Sequence, residues 1–129
     1  MLKIAVPTSA RDEMIDITGQ VAQAVTESGV KSGLCVVFVP HTTAGITINE
    51  NADADVQRDI LLHMDKMAPH KGDYRHNEGN SAAHIKASLF GSSVTVPVEE
   101  GRLCLGTWQS IFFCEFDGPR QRQAWIQIR

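Results

Sequence analysis

The run Leu34-Cys35-Val36-Val37-Phe38-Val39 constrains this chain more than any other segment. It is uninterruptedly apolar and rich in β-branched residues, too short for a buried helix and too continuous for a half-exposed strand. It predicts a central strand buried on both faces, so the rest of the chain must be arranged around a sheet. Pro40 ends the run, His41-Thr42-Thr43-Ala44-Gly45 reads as a turn, and Ile46-Thr47-Ile48-Asn49 alternates as the next strand.

The other elements follow from periodicity and punctuation. Leu2 to Thr8 and Met14 to Ile17 predict an opening hairpin across a polar turn at Ala10 to Asp12. Thr18 to Ser28 has helical spacing, with Val21, Ala24 and Val25 inward and Gly29 as the stop. Asp53 opens a second helix whose apolar face is Val56, Ile60, Met64 and Met67, widened by Leu61. Pro69 to Asn80 is polar, with two glycines, and predicts a surface loop. A third helix spans Ser81 to Phe90, with Ile85, Leu89 and Phe90 inward and Gly91 at its end. Ser93 to Val98 alternates as a strand, Leu103 to Trp108 and Gln109 to Phe116 supply one or two more, and Ala124 to Ile128 closes the chain as the last. The expected fold is α/β in the α+β sense: one domain over residues 1–129, a twisted, mostly antiparallel sheet of about seven strands wrapped by about three helices.

At 129 residues and 43% hydrophobic the chain fits a single core. A formal charge of −3 supplies no basic field for nucleic acid or an anionic membrane, so an anion must be bound locally. No apolar run approaches the roughly 20 residues of a membrane span, and the N-terminus has no secretory pattern, so a cytoplasmic location is expected. Cys35, Cys104 and Cys114 are widely spaced in apolar runs and read as small hydrophobes.

Chemistry concentrates at few positions. His41 follows the most apolar strand, where sheets place functional groups; the alternative is a histidine that caps the turn. His84 lies beside Ala82, Ala83 and Ala87, small residues that allow close approach by another surface. His76 lies in the polar loop and folds over such a site or stays solvated, while His63 and His70 read as surface residues. Glu115 shares a strand face with Ile111 and Phe113, so its carboxylate enters an apolar row. It must be paired with Arg120 or Arg122, protonated, or coordinated to a metal held with His41 and His84. Two histidines and a carboxylate suit a zinc-like ion, although no HxH or HxxxH spacing supports one. Glu50 returns toward His41 or serves the next helix. Trp108 offers a flat face or fills the core, and Arg120 grips phosphate or is solvated.

Three blocks then resemble a known family. His41 to Asp53 (HTTAGITINENAD), Ala83 to Ser88 (AHIKAS), and Gly101 to Arg120 with its GTWQ and DGPR segments are similar to the YjbQ-like family, also called secondary thiamine-phosphate synthase. The resemblance runs over essentially the whole chain in order and spacing. It implies a homotrimer, a pocket near the three blocks shared between subunits, and histidines that bind a divalent ion, zinc-like or magnesium. It also implies weak thiamine phosphate synthesis, in which hydroxymethylpyrimidine diphosphate joins a small phosphorylated thiazole and diphosphate leaves. In that reaction His41, His84 and Glu115 would be catalytic and metal-binding. Thr42, Thr43, Asn49, Glu50, Lys86, Trp108, Gln109 and Arg120 would bind substrate, with Lys86 and Arg120 on the diphosphate and Trp108 and Glu115 near the developing cation. The residues also admit a metal-dependent hydrolase of a small phosphorylated metabolite and a non-catalytic ligand-binding trimer.

Overall fold

In the computed structural model, which describes all residues 1–129, the strands form two sheets rather than one. β1 (Leu2–Pro7), β8 (Gln121–Ile128), β3 (Gly33–Phe38), β5 (Ser93–Glu99) and β6 (Arg102–Leu103) lie side by side in that order. β2 (Glu13–Asp16), β7 (Gln109–Glu115) and β4 (Ala44–Glu50) make the second sheet. Every pairing is antiparallel. Three helices complete the mixed α+β domain: α1 (Thr18–Ser28), α2 (Ala54–Met67) and α3 (Ser81–Phe90). The strand expected over Leu103 to Trp108 is only the two-residue β6, and the expected opening hairpin does not form, because β1 pairs with β8 and β2 with β7 in different sheets.

The division into two sheets follows from where the apolar residues face. Val6, Cys35, Val37, Val96, Val98, Ala124 and Ile126 point from the larger sheet into the core, meeting Ala44, Ile46, Ile111 and Phe113 from the smaller. Helix α1 closes this core with Val21, Ala24 and Val25. On the other side of the smaller sheet, Phe112, Cys114 and Phe116 pack against Ala83 and Ala87 of α3 and Leu61 of α2. β7 is therefore buried on both faces, the position that the apolar run of β3 suggests for β3 itself.

β3 is indeed central in its sheet, but only one of its faces is covered. Cys35 and Val37 are buried, whereas Leu34 is 52% exposed and Phe38 39% exposed. No helix packs on that side, so the continuous apolar run reflects a face that one chain leaves open.

Helix α3 is turned relative to expectation. Ala82, Ala83, Lys86 and Ala87 are its buried residues, while Ile85 and Leu89 are exposed. The cause is close packing on β4: a Cβ added at Gly45 would lie 2.8 Å from the Gly91 carbonyl oxygen and 3.1 Å from the Phe90 Cβ. A contact that tight admits alanines and excludes isoleucine or leucine. α2 starts as expected, with Asp53 accepting from the Asp55 N–H at 2.9 Å. Its apolar stripe is half-buried, and Met67 lies exposed at its end.

Candidate functional site

The strand end at Pro40 and the N-terminal half of β4 place His41, Thr42 and Ala44 on one wall of an open groove of about 550 Å³. The other wall is α3, which presents His84, Ala87 and Ser88, continued by Gly91 at its C-terminal cap. Those positions are spaced by three, one and three residues, the face of a helix that looks in a single direction. Ser92 closes the end, and no carboxylate lines the groove. The sequence reading therefore brings both histidines to one site, as the fold does. It misses Ser88 and Ser92, whose only signal is their offset along the chain from His84.

His41 is held in one state. Its Nε2 accepts the Gln123 backbone N–H at 3.0 Å, and its ring meets Phe113 edge-on at 6.4 Å between centroids. Burial lowers its pKa, and the nearby Arg122 charge lowers it further. A neutral imidazole that accepts at Nε2 carries its proton on Nδ1. The free nitrogen is thus a hydrogen-bond donor.

Glu115 lies behind this wall and is 0% exposed. One of its oxygens accepts the Phe116 and Asp117 N–H groups and an Arg122 N–H at 2.6 Å; the other accepts from Thr8 and from Arg122 Nε at 2.8 Å. Burial raises its pKa, but the hydrogen bonds from Arg122, Asp117 and Thr8 and the Arg122 charge outweigh that and hold it below the ordinary value. Arg122 also donates to the Thr43 hydroxyl at 2.8 Å, tying the buried pair to the turn that carries His41 and Thr42. Glycine at 118 permits this arrangement, because a Cβ there would lie 2.3 Å from the Ala10 carbonyl oxygen and 2.9 Å from the Thr8 hydroxyl.

Glu115 is therefore a partner of Arg122 and not a third ligand beside His41 and His84. Its acceptor sites are filled, the free nitrogen of His41 carries a proton, and no three His, Cys, Asp or Glu side chains gather as a metal set in this chain. The divalent ion implied by the resemblance does not fit these residues. His84 has a different neighbour: the His76 ring meets it edge-on at 5.5 Å, so the loop does fold over this end of α3.

Other expected binding residues lie elsewhere. Lys86 sits about 200° around α3 from His84. It is buried in ion pairs with Asp65 at 2.7 Å and Asp12 at 3.6 Å, away from the groove. Thr43 points inward to Arg122, and Arg120 is half-exposed on Asp117 at 3.1 Å. Asn49, Glu50, Trp108 and Gln109 occupy the far end of the β4–β7 ladder, where Glu50 pairs with Gln109 and Ala44 with Glu115. Six steps of ladder put them roughly 20 Å from the histidine groove. There Asn49 bonds the Glu50 N–H, Gln109 accepts from Gly106, and Trp108 is 64% exposed.

Comparison with known proteins gives the same assignment from sequence and from fold. The family model described as UPF0047 protein YjbQ-like matches residues 2–129. The UPF0047 protein YugU of Bacillus subtilis is 56% identical, over 99% of this chain and 98% of its own length. A UPF0047 protein of Methanocaldococcus jannaschii is 50% identical, over 99% of this chain and 93% of its own. The crystal structure of an uncharacterized conserved protein of the same family from Clostridium acetobutylicum superposes with a TM-score of 0.99 at 60% identity, covering 100% of both chains. The chain belongs to the YjbQ-like UPF0047 family.

Proposed function

We propose that this protein is a small-molecule enzyme that binds a phosphorylated substrate in the groove between His41 and His84, with thiamine phosphate formation as its reaction. The observation that carries the reading is the fixed state of His41, whose only free nitrogen is an N–H donor in a groove without carboxylates. Such a donor, with the hydroxyls of Thr42, Ser88 and Ser92, matches the oxygens of a phosphate or diphosphate. In the reaction the pyrimidine methylene loses its bond to diphosphate as the thiazole nitrogen bonds to it. Negative charge grows on the departing oxygens, where preorganised donors stabilise the transition state most. His84 is placed to deliver a further hydrogen bond or proton to the same group.

The test is incubation of the purified protein with hydroxymethylpyrimidine diphosphate and thiazole phosphate, with the product read as thiochrome fluorescence. The expected outcome is product from the wild type and roughly 100-fold less from His84→Ala. Equal product from both overturns the reading, and phosphate release without condensation points instead to a hydrolase. Metal analysis of the same sample checks the ligand set, for which stoichiometric zinc would be the contrary result.

We also propose a homotrimer formed through the open face of the larger sheet, supported by the exposed side chains of Leu34 and Phe38. Light scattering tests it: a trimer mass is expected, reduced by Leu34→Glu, and a monomeric wild type would overturn it.

A further inference from the structure

His84 lines two cavities, not one. Beyond the groove it shares with His41, a second hollow of about 540 Å³ opens on its other side, between the 69–80 loop and the start of α3. Tyr74, His76 and Ile85 give that hollow flat and apolar surface, and Arg75 and Ser81 give it polar ends. His84 is the only residue common to both linings.

Of the polar groups in the second hollow, the Tyr74 hydroxyl donates to the Pro69 carbonyl at 2.5 Å and His76 lies 4.0 Å from Glu78, which leaves the side chains of Arg75 and Ser81 uncommitted. Arg75 makes no ion pair, in contrast to Arg11, Arg58, Arg120 and Arg122, each of which holds a carboxylate. Asp73 also lines the hollow and makes no ion pair with Arg75. Ser81 begins α3, whose first turn has no side-chain cap. Within the hollow, the His76 ring stands nearly perpendicular to His84, at 86° in an edge-to-face contact, so the two imidazoles meet at a corner of the hollow. A planar ring would lie against Tyr74 and His76 with an anionic substituent toward Arg75 and Ser81.

We propose that this second hollow is the subsite for a second reactant, a small planar ligand bearing an anionic group, so that His84 stands between two bound molecules. The inference rests on the reading of the His41–His84 groove as the site of the first reactant. A group transfer between two molecules needs adjacent subsites with the reacting atoms brought near each other, whereas hydrolysis needs only one. The 69–80 loop then has a definite role, in which Tyr74, Arg75 and His76 supply one wall of the second subsite.

The two subsites are separable by amide chemical-shift mapping on the full-length ¹⁵N-labelled protein. Titrated inorganic phosphate is expected to give saturable shifts at Arg75, His76 and Ser81 as well as at Thr42 and Ser88. Arg75→Ala should weaken the first set at least tenfold and leave the second within twofold, while Arg58→Ala, a surface charge control, changes neither. Thiazole phosphate should bind the second subsite at least tenfold more tightly than inorganic phosphate, since its ring adds contact with Tyr74 and His76. Shifts confined to Thr42 and Ser88 would overturn this proposal and leave the first groove intact. Shifts confined to Arg75, His76 and Ser81 would overturn the reading of the first groove and keep the second site. Shifts at neither set, or equal affinity for phosphate and thiazole phosphate, would overturn the proposal.

Discussion

Arg122→Ala is the sharpest perturbation of the wall behind His41. The substitution removes two charge-assisted hydrogen bonds to Glu115, at 2.6 and 2.8 Å, and the bond to the Thr43 hydroxyl at 2.8 Å. It leaves a carboxylate that is 0% exposed with only Thr8 and two backbone N–H groups as partners. Removing one member of a buried pair costs about 3–5 kcal/mol, because the other charge stays desolvated and uncompensated. For a chain of 129 residues that corresponds to a fall in Tm of roughly 12–20 °C. Urea denaturation followed by circular dichroism measures it, and a loss below about 1 kcal/mol would refute a structural role for the pair.

The pH dependence provides a second, independent reading of the same variant. In the wild type the folded pKa of Glu115 lies below its ordinary 4.5. Its contribution to stability is therefore present above that value and is lost as pH falls through the lower folded pKa. Without Arg122, burial acts with less opposition and lifts the folded pKa above the unfolded one. The contribution then reverses: it is present below the unfolded pKa and lost as pH rises through the folded value. The stability gap between wild type and variant should consequently shrink as pH is lowered from 7 toward 4. A gap that stays constant over that range would show that Glu115 is not the group left unpaired.

Three other changes probe separate parts of the structure. Gly45→Ala places a methyl group 2.8 Å from the Gly91 carbonyl oxygen, so α3 must move away from β4; a loss of about 1–3 kcal/mol in urea is expected, and no loss would mean that the packing is slack. Lys86→Met removes the hydrogen bond that, ahead of the opposing effect of burial, lowers the Asp65 pKa; carboxyl NMR should show Asp65 titrating at higher pH, and an unchanged titration would discount the pair. Trp108→Ala should change stability by less than about 0.5 kcal/mol, because the side chain is 64% exposed; a tenfold loss of thiamine phosphate formation in that folded variant would indicate that another copy's Trp108 reaches the histidine groove.

The fold is legible wherever one physical signal dominates. Helix limits follow from glycines and Asp53, and β1, β4 and β5 from alternation. The departures share a cause, which is that hydropathy records burial without saying what does the burying. Ile85 and Leu89 resemble core residues, but the space against β4 admits only small side chains, so Ala83 and Ala87 occupy it instead. The apolar run of β3 likewise belongs to a sheet with one uncovered face. That open face of β3 is the surface through which the homotrimer proposed above would form.

The candidate site divides along the same line. His41 and His84 are recognisable because a histidine at a strand end and another among alanines are hard to explain by packing alone. The partner of Glu115 is harder to choose from sequence, since periodicity starts the last strand at Ala124, whereas β8 starts at Gln121. Those three additional residues give Arg122 the inward face shared by Ala124 and Ile126, opposite the one strand residue that needs a cation. Trp108 and Gln109 illustrate the remaining limit. Their GTWQ block lies beside the Glu115 block in sequence, yet an antiparallel ladder carries them roughly 20 Å away within a single chain. Nothing local to the block encodes that separation; it is a property of the length of β7, and only another copy of the chain could return those residues to the groove.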